Sequence, residues 1–323
     1  MNASSDLKAA VDGYIDALSL GEKQPENLYR PMAYILSLKG KRIRPVLTLL
    51  AYEAVSGQDG KAALPLAAAL ELFHNFTLMH DDIMDRAPVR RGKPTVHKVW
   101  NEDIAILSGD ALFAFSMEQV VAAFPDKAAA LIAEYTRVSL EVCEGQMEDM
   151  DLAAQEEVSL PEYIEMIRKK TAALLGGCLC MGALAGGASP AVVEKLRAFG
   201  ELLGIAFQLQ DDLMDAFPPK GFGKQVGGDI IENKKTFLLL KAMELADETQ
   251  RRRLRTIFSM EMNPETKVNE VLALFGALGI EGHTEALIHQ YFEKARILSR
   301  ELAGEIHFDP LLQYLAEIAD RKL

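Results

Sequence analysis

Apolar residues recur three and four positions apart through nearly every segment of this 323-residue chain, and no stretch alternates apolar and polar residues between turn signals. "LPLAAALELFHNFTLMHDDIMD", "IAILSGDALFAFSMEQVVAAF", "LRAFGELLGIAFQLQDDLMD" and "ALIHQYFEKARILSREL" all carry helical spacing. The pattern predicts an all-α protein with few strands or none. Two segments interrupt it, "RAPVRRGKPTV" (86–96) and "FPPKGFGKQVGGD" (217–229), both rich in Gly, Pro and basic residues. No composition shift or low-complexity linker marks a boundary, so residues 1–323 read as a single domain.

Two of these helical stretches contain residues that an apolar setting disfavours. "LMHDDIMD" (78–85) and "QLQDDLMD" (208–215) each place two adjacent aspartates, two apolar residues and a third aspartate, and each is followed by one of the basic Gly/Pro loops. On a helix, positions i and i+4 share a face, which pairs Asp81 with Asp85 and Asp211 with Asp215. Asp82 and Asp212 point about 100° away, to make a second contact or to orient the first. Like charges at this spacing repel, and burial makes the repulsion worse. A divalent cation is the simplest remedy. An oxygen-only ligand set favours Mg²⁺, which keeps waters and is completed by substrate phosphates. For one such motif, a solvated acidic face would explain the residues as well. Two copies, each trailed by counter-charge for phosphate oxygens, favour the cation. That counter-charge is Arg90, Arg91 and Lys93 after the first motif, and Lys220, Lys224 and Lys234 after the second. A further basic run, Lys39, Lys41, Arg42 and Arg44 in "LKGKRIRPVL", opens an apolar helix, where a phosphate can meet side chains and a helix N-terminus together.

The formal net charge of −12 argues against a nucleic-acid partner, and 49% hydrophobic with 25% charged residues argues against disorder. Cys143, Cys178 and Cys180 have no second pair or nearby histidine to complete a zinc site, and read as reduced thiols of a cytoplasmic protein. "MNASSDLKAAVDGYIDALSL" reads as a capped amphipathic helix, without a basic-then-apolar leader. Residues 171–193 hold no charge and are long enough to suggest a membrane span. Their glycines, the closing Ser189 and Pro190, and the soluble flanks "IRKKT" and "VEKLR" favour an interior helix instead, so no span is expected.

Taken in order, "GKRIRP", "ELFHNFTLMHDDIMD", "RRGKPTVH", "GD" at Gly109 and Asp110, "EGQ" at 144–146, "KKT", "FQLQDDLMD" and "GKQVGGDIIENK" resemble the trans-isoprenyl diphosphate synthases of the polyprenyl synthetase family, over almost the whole chain. Two departures are visible. Lys39 stands where the family usually has glycine, and the loop between Lys224 and Lys234 is offset from the commonest spacing.

The resemblance implies a helical bundle around a deep central cavity, usually a homodimer, with both aspartate motifs at the cavity mouth. It implies three Mg²⁺ ions held among Asp81, Asp82, Asp85, Asp211 and Asp215 and bridged to an allylic diphosphate. Arg90, Lys170, Lys224 and Lys234 would touch that diphosphate. Lys41, Arg44, His74 and Arg91 would hold isopentenyl diphosphate. Thr171 and Gln208 match positions whose oxygens face the allylic cation, and Asp212 completes the catalytic set. Heterolysis of the allylic C–O bond needs stabilised pyrophosphate and a dry cavity, and the departing pyrophosphate is the natural proton acceptor. His80 and His97 read as structural.

Thr77, Phe76 and Phe73 lie four, five and eight residues before Asp81, with Phe76 about 7.5 Å and Phe73 about 12 Å further down the helix. In the family, bulk at such positions stops the growing chain. This pattern resembles short-chain enzymes that stop at C20, geranylgeranyl diphosphate, with C15 farnesyl diphosphate as the near rival. Phenylalanines that merely pack between helices would allow a longer product. A class I cyclase would carry a different second metal motif, and a non-catalytic partner subunit would have lost aspartates or lysines that are intact here.

Overall fold

The computed structural model describes residues 3–218 and 226–320. Its helices are α1 (Ala3–Ala17), α2 (Glu26–Ser37), α3 (Ile43–Ser56), α4 (Leu64–Met84), α5 (Val96–Val99), α6 (Glu102–Ala123), α7 (Ala128–Ala154), α8 (Leu160–Ile167), α9 (Ala173–Gly186), α10 (Pro190–Ala216), α11 (Gly228–Ile231), α12 (Phe237–Leu245), α13 (Glu248–Ser259), α14 (Pro264–Ala277), α15 (Ile280–Ala303) and α16 (Asp309–Asp320). The all-α expectation holds. Among the described residues the only sheet is a two-residue hairpin, β1 (Val89–Arg90) against β2 (Lys93–Pro94). It sits inside the first basic loop, and its turn residues Arg91 (φ 53°) and Gly92 (φ 75°) are both left-handed, which suits a two-residue hairpin turn.

The chain packs as two compact units built from discontinuous segments. The first comprises Met1–Arg137, Gly177–Leu196 and Leu302–Ala319; the second comprises Val138–Gly176, Arg197–Glu301 and Asp320–Leu323. The boundaries fall inside α7, α9, α10, α15 and α16, so no linker composition marks them in the sequence.

In the first unit, α4 is the central helix. Pro65 is pre-organised for its first turn, and Leu66, Ala67, Ala68, Ala69, Leu70, Leu72 and Phe73 are all buried. Both α3 and α6 pack against it. The uncharged 171–193 run contains α9, whose 14 residues fall short of the about 20 that a membrane span needs. Its Gly182 lies so close to α3 that a Cβ there would be 2.4 Å from the Thr48 carbonyl oxygen. Two other helices have the length and hydropathy of a span, Gly60–Met84 and Glu102–Ala123. The first carries Glu71 and Asp82 in buried ion pairs.

In the second unit, a capping box starts α8, with Ser159 and Glu162 each satisfying the other's backbone N–H. One apolar cluster gathers Leu152, Tyr163, Met166, Ala172, Leu209 and Phe237, and another forms around Ile230, Leu254, Val271 and Phe275. These clusters hold α8, α10 and α12 against one another, and thereby fix the second aspartate motif on α10.

Candidate active site

The first aspartate motif ends α4. Asp82 is 2% exposed, and both its oxygens accept from Arg90 Nε at 2.9 Å, with Arg90 Nη2 at 2.8 Å. The hairpin returns Arg90 to this point eight residues later. Burial raises the Asp82 carboxyl above the usual carboxylate range, and Arg90 opposes that shift. Asp81 is partly accessible and 3.7 Å from Arg90 Nη2, while Asp85 is exposed at the C-cap. The motif therefore divides as its spacing suggests: the outer aspartates are on the accessible side, and the middle one is anchored inside.

Of the residues assigned to a second diphosphate, Arg44, His74 and Arg91 come together. Arg44 Nη1 lies 3.2 Å from His74 Nε2. Burial, then the fields of Arg44, Arg91, Arg90 and Arg42, hold His74 well below the usual imidazole range. A neutral His74 accepts from Arg44 through Nε2, so Nδ1 carries the proton. Arg91 donates to the Leu38 carbonyl and is itself destabilised as a cation by burial and by Arg42, Arg90 and Arg44. Lys41 is exposed. Arg42, one residue further, behaves differently. It is 3% exposed and left-handed (φ 56°), and it donates to Asp12 (2.8 Å), Glu71 (2.6 Å) and the Leu36 carbonyl (3.0 Å). It ties down the segment that carries Lys41 and Arg44. No spacing in "GKRIRP" reveals which arginine is buried.

A pH dependence follows from His74. The folded state resists protonation while the unfolded state takes up a proton below its ordinary pKa, so stability falls as pH drops. From about pH 7 to about pH 5.5 this one group should cost about 1 kcal/mol. Urea midpoints at the two pH values, compared with those of His74→Asn, test it. An equal pH loss in the variant would refute the assignment.

Below the motif, Phe73 and Phe76 belong to an aromatic cluster that the sequence showed only in part. Phe76 lies 5.1 Å from Phe113 on α6 and 4.8 Å from His80, centroid to centroid; Phe73 lies 5.4 Å from Tyr135 and 5.7 Å from Phe76. Phe73 and Tyr135 are each 1% exposed, whereas Phe76 and Thr77 keep accessible surface. Thr77 Oγ1 donates to the His74 carbonyl at 2.8 Å. His80 Nε2 lies 3.2 Å from the Ile106 carbonyl oxygen, joining α4 to α6, and His97 is buried.

In the second unit, the "KKT" residues lie in a π-helical turn, Arg168–Ala172, between α8 and α9. One extra residue per turn re-aims Lys170 and Thr171. Gly145 of "EGQ" makes the turn possible, because a Cβ there would lie 2.2 Å from the Lys170 amide nitrogen. Lys170 Nζ meets Asp149 at 2.6 Å, and Lys169 Nζ meets Glu144 at 3.2 Å. Thr171 Oγ1 donates to Gln208 Oε1 at 3.1 Å, Gln208 Nε2 donates to Asp212 Oδ1 at 3.0 Å, and the Tyr163 hydroxyl donates to Asp212 Oδ2. Burial pushes the Asp212 carboxyl up to about 7, against the pull of Tyr163 and Gln208. Asp211 is exposed. Asp215 accepts from the Gly228 and Asp229 amides at 3.1 and 3.0 Å and so anchors the start of α11. Lys234 Nζ lies 3.3 Å from Asp229 and 3.0 Å from Glu232. Lys220 and Lys224 fall outside the described residues.

Among the described residues, no three His, Cys, Asp or Glu side chains gather to hold a metal on their own. In each unit the accessible donors, Asp81 and Asp85 in the first and Asp211 in the second, are carboxylates, a donor type that fits Mg²⁺ completed by water and phosphate better than a closed protein cage. Tyr163, Phe113, Tyr135 and Glu71 escaped the sequence reading. Each does its work through a partner distant in the sequence, and helical periodicity alone does not name that partner.

The polyprenyl synthetase family model matches residues 25–275, which span segments of both units. A short-chain isoprenyl diphosphate synthase of Methanothermobacter thermautotrophicus is 40% identical over 286 residues, 86% of each chain. The geranylgeranyl pyrophosphate synthase of Geoglobus acetivorans is 38% identical over 317 residues, 98% of this chain and 96% of its own. Among solved structures, a geranylgeranyl pyrophosphate synthase is similar with a TM-score of 0.88 at 41% identity, over 93% of each chain.

Proposed function

Because this chain belongs to the polyprenyl synthetase family, we propose that it condenses isopentenyl diphosphate head to tail with allylic diphosphates and releases geranylgeranyl diphosphate, C20. That it is a prenyltransferase making short-chain trans-prenyl diphosphates follows from the family and its named relatives. The C20 product rests on those relatives and on the bulk of Phe76 and Phe73.

One observation carries the choice of chain elongation over cyclisation. Arg42, Arg44, Arg90 and Arg91 crowd around a neutral His74; Arg42 is paired with Asp12 and Glu71 and Arg90 with Asp82, while Arg91 donates to the Leu38 carbonyl and Arg44 lies against the imidazole. Such a concentration of guanidinium groups suits a second diphosphate, which a cyclase never binds. In this reading Lys41, Arg44, His74 and Arg91 hold isopentenyl diphosphate. Arg90, Lys170, Lys224 and Lys234 face the allylic diphosphate.

Asp81, Asp85 and Asp211 would hold Mg²⁺, with Asp82 and Asp215 bracing the two motifs. When bound, the metal neutralises the charge that develops on the leaving diphosphate. The chain's own groups do the rest. Thr171 and Gln208 would offer oxygens to the allylic cation, and the aromatic cluster around Phe76 would exclude water that would quench it.

A homodimer is proposed, because α6 presents Ile106, Leu107 and Val121 at 43%, 61% and 45% exposure. Sedimentation at the mass of one chain would refute it. A reducing compartment, the cytoplasm, fits the free thiols at Cys143, Cys178 and Cys180; recovery of the native protein in a membrane or exported fraction would refute that.

The test supplies isopentenyl diphosphate, Mg²⁺ and, separately, C5, C10 and C15 allylic diphosphates, then sizes the dephosphorylated products by mass spectrometry. Dominant C20 is expected, and a chelator should abolish it. Dominant C15 would place the stop one isoprene unit higher, and C30 or longer would remove both phenylalanines from the gate. No turnover from folded protein with any starter would turn the reading towards a partner subunit.

A further inference from the structure

The hydrogen bonds around Asp212 run in one direction. The NH₂ end of Gln208 donates to Asp212 Oδ1 at 3.0 Å. The amide is planar, and its oxygen therefore faces the other way, where Thr171 Oγ1 donates to it at 3.1 Å. Gln208 and Asp212 are i and i+4 on α10, so the helix itself holds the pair in register. The second oxygen of Asp212 is occupied by the Tyr163 hydroxyl. Tyr163 is 3% exposed on α8, and that helix runs directly into the π-helical turn carrying Lys170 and Thr171.

We propose that Asp212 and Tyr163 are positioning residues that lock the Gln208 amide with its carbonyl oxygen, rather than its NH₂ group, turned towards Thr171 and the reacting allylic carbon. The inference rests on the prenyl-transfer reading for what lies beyond Thr171. On C–O heterolysis the electron pair leaves with the diphosphate, and the allylic carbon becomes cationic. A carbonyl dipole aimed at that carbon stabilises it, whereas an NH₂ group rotated into the same place opposes it. Neither Asp212 nor Tyr163 needs to touch substrate. Asp212 fixes the sense of the amide, and Tyr163 keeps the carboxylate from turning away. The second motif then holds two kinds of aspartate: Asp211, exposed, and Asp212, committed to Gln208.

The test is a double-mutant cycle on the full-length protein with Tyr163→Phe, Gln208→Leu and the pair together. Tyr163→Phe keeps the buried ring and removes only the hydroxyl. It is expected to lower kcat about tenfold, less than the about hundredfold cost of a fully misplaced group, with KM for both substrates within about twofold. In the Gln208→Leu background the same change should alter kcat by less than about twofold, because the group it positions has gone. Equal losses in both backgrounds would overturn the proposal and make Tyr163 an ordinary packing residue. A second readout does not depend on turnover. The Gln208 side-chain ¹⁵N amide resonance, identified by its disappearance in Gln208→Leu, should shift in Tyr163→Phe, and an unmoved resonance would also overturn the proposal. A wild-type protein that fails to condense the substrates but shows that shift would refute the functional reading and leave the Gln208 lock standing.

Discussion

Asp81→Ala is expected to lower kcat by about a thousandfold, the scale of losing a principal charge stabiliser at a developing anion, while changing folding stability by less than about 1 kcal/mol. The two numbers together make the test sharp. In the fold, the charge of Asp81 raises the pKa of neighbouring Asp82, and its contact with Arg90 is long at 3.7 Å. Removing it relieves a like-charge repulsion and leaves Arg90 bound to Asp82 through three short contacts. A residue that opposes stability and is nonetheless needed for turnover is what a substrate-facing carboxylate should be. Asp82→Ala is the comparison. It leaves the Arg90 guanidinium without its buried partner, so it should lose both stability and activity, at a cost of about 3 kcal/mol. The measurement is steady-state kinetics beside urea unfolding for both variants. An Asp81→Ala protein that keeps within about tenfold of wild-type kcat would exclude Asp81 from the reacting site. One that unfolds would make it structural.

The helices, the two carboxylate motifs and the basic segments were all legible in the sequence because each is local. A 3.6-residue period, an i,i+4 pair and a glycine-rich basic loop are written within a few residues of one another. The direction of individual side chains was only half legible. Helical spacing separated Asp82 from Asp81 and Asp85, and Asp212 from Asp211, and the structure buries these middle residues and gives each an anchoring partner. It could not name those partners. Tyr163 meets Asp212 across 49 positions, and Arg42 meets Glu71 across 29. The four basic residues of "LKGKRIRP" look alike as text, yet Arg42 is buried in ion pairs while Lys41 beside it is exposed. What separates them is the left-handed backbone at Arg42, which turns that side chain inward, and nothing in the composition of the run signals it. The two-unit packing was invisible for a related reason: its boundaries lie within continuous helices, where selection on sequence acts for helix formation and leaves no linker.

Phe76→Ala is expected to shift the main product from C20 to longer chains. Phe76 lies five residues before Asp81, about 7.5 Å along α4, so a chain growing inward from the diphosphate meets it within one to two turns. Phe76 is the aromatic residue of its cluster on α4 that keeps accessible surface, while Phe73 and Tyr135 are sealed at 1%. The obstacle is consequently layered. Removing the Phe76 ring opens a space bounded by Phe113 at one side and Phe73 beneath, whose centroids lie 5.1 and 5.7 Å from it. Extension should therefore be limited, with a new stop set by Phe73, and should not run on to indefinite length. The double variant Phe73→Ala with Phe76→Ala would lengthen the product further. It does so at a cost in stability of about 3 kcal/mol or more for Phe73 alone, because that ring is fully enclosed and its loss leaves a cavity among Phe113, Tyr135 and α4. Mass spectrometry of the dephosphorylated products from wild type and both variants, with one allylic starter, measures the shift. An unchanged distribution in Phe76→Ala would remove that ring from the gate and leave Phe73, Phe113 and Tyr135 as its floor. A distribution that broadens without a new maximum would mean that the aromatic cluster holds the helices together and stops nothing.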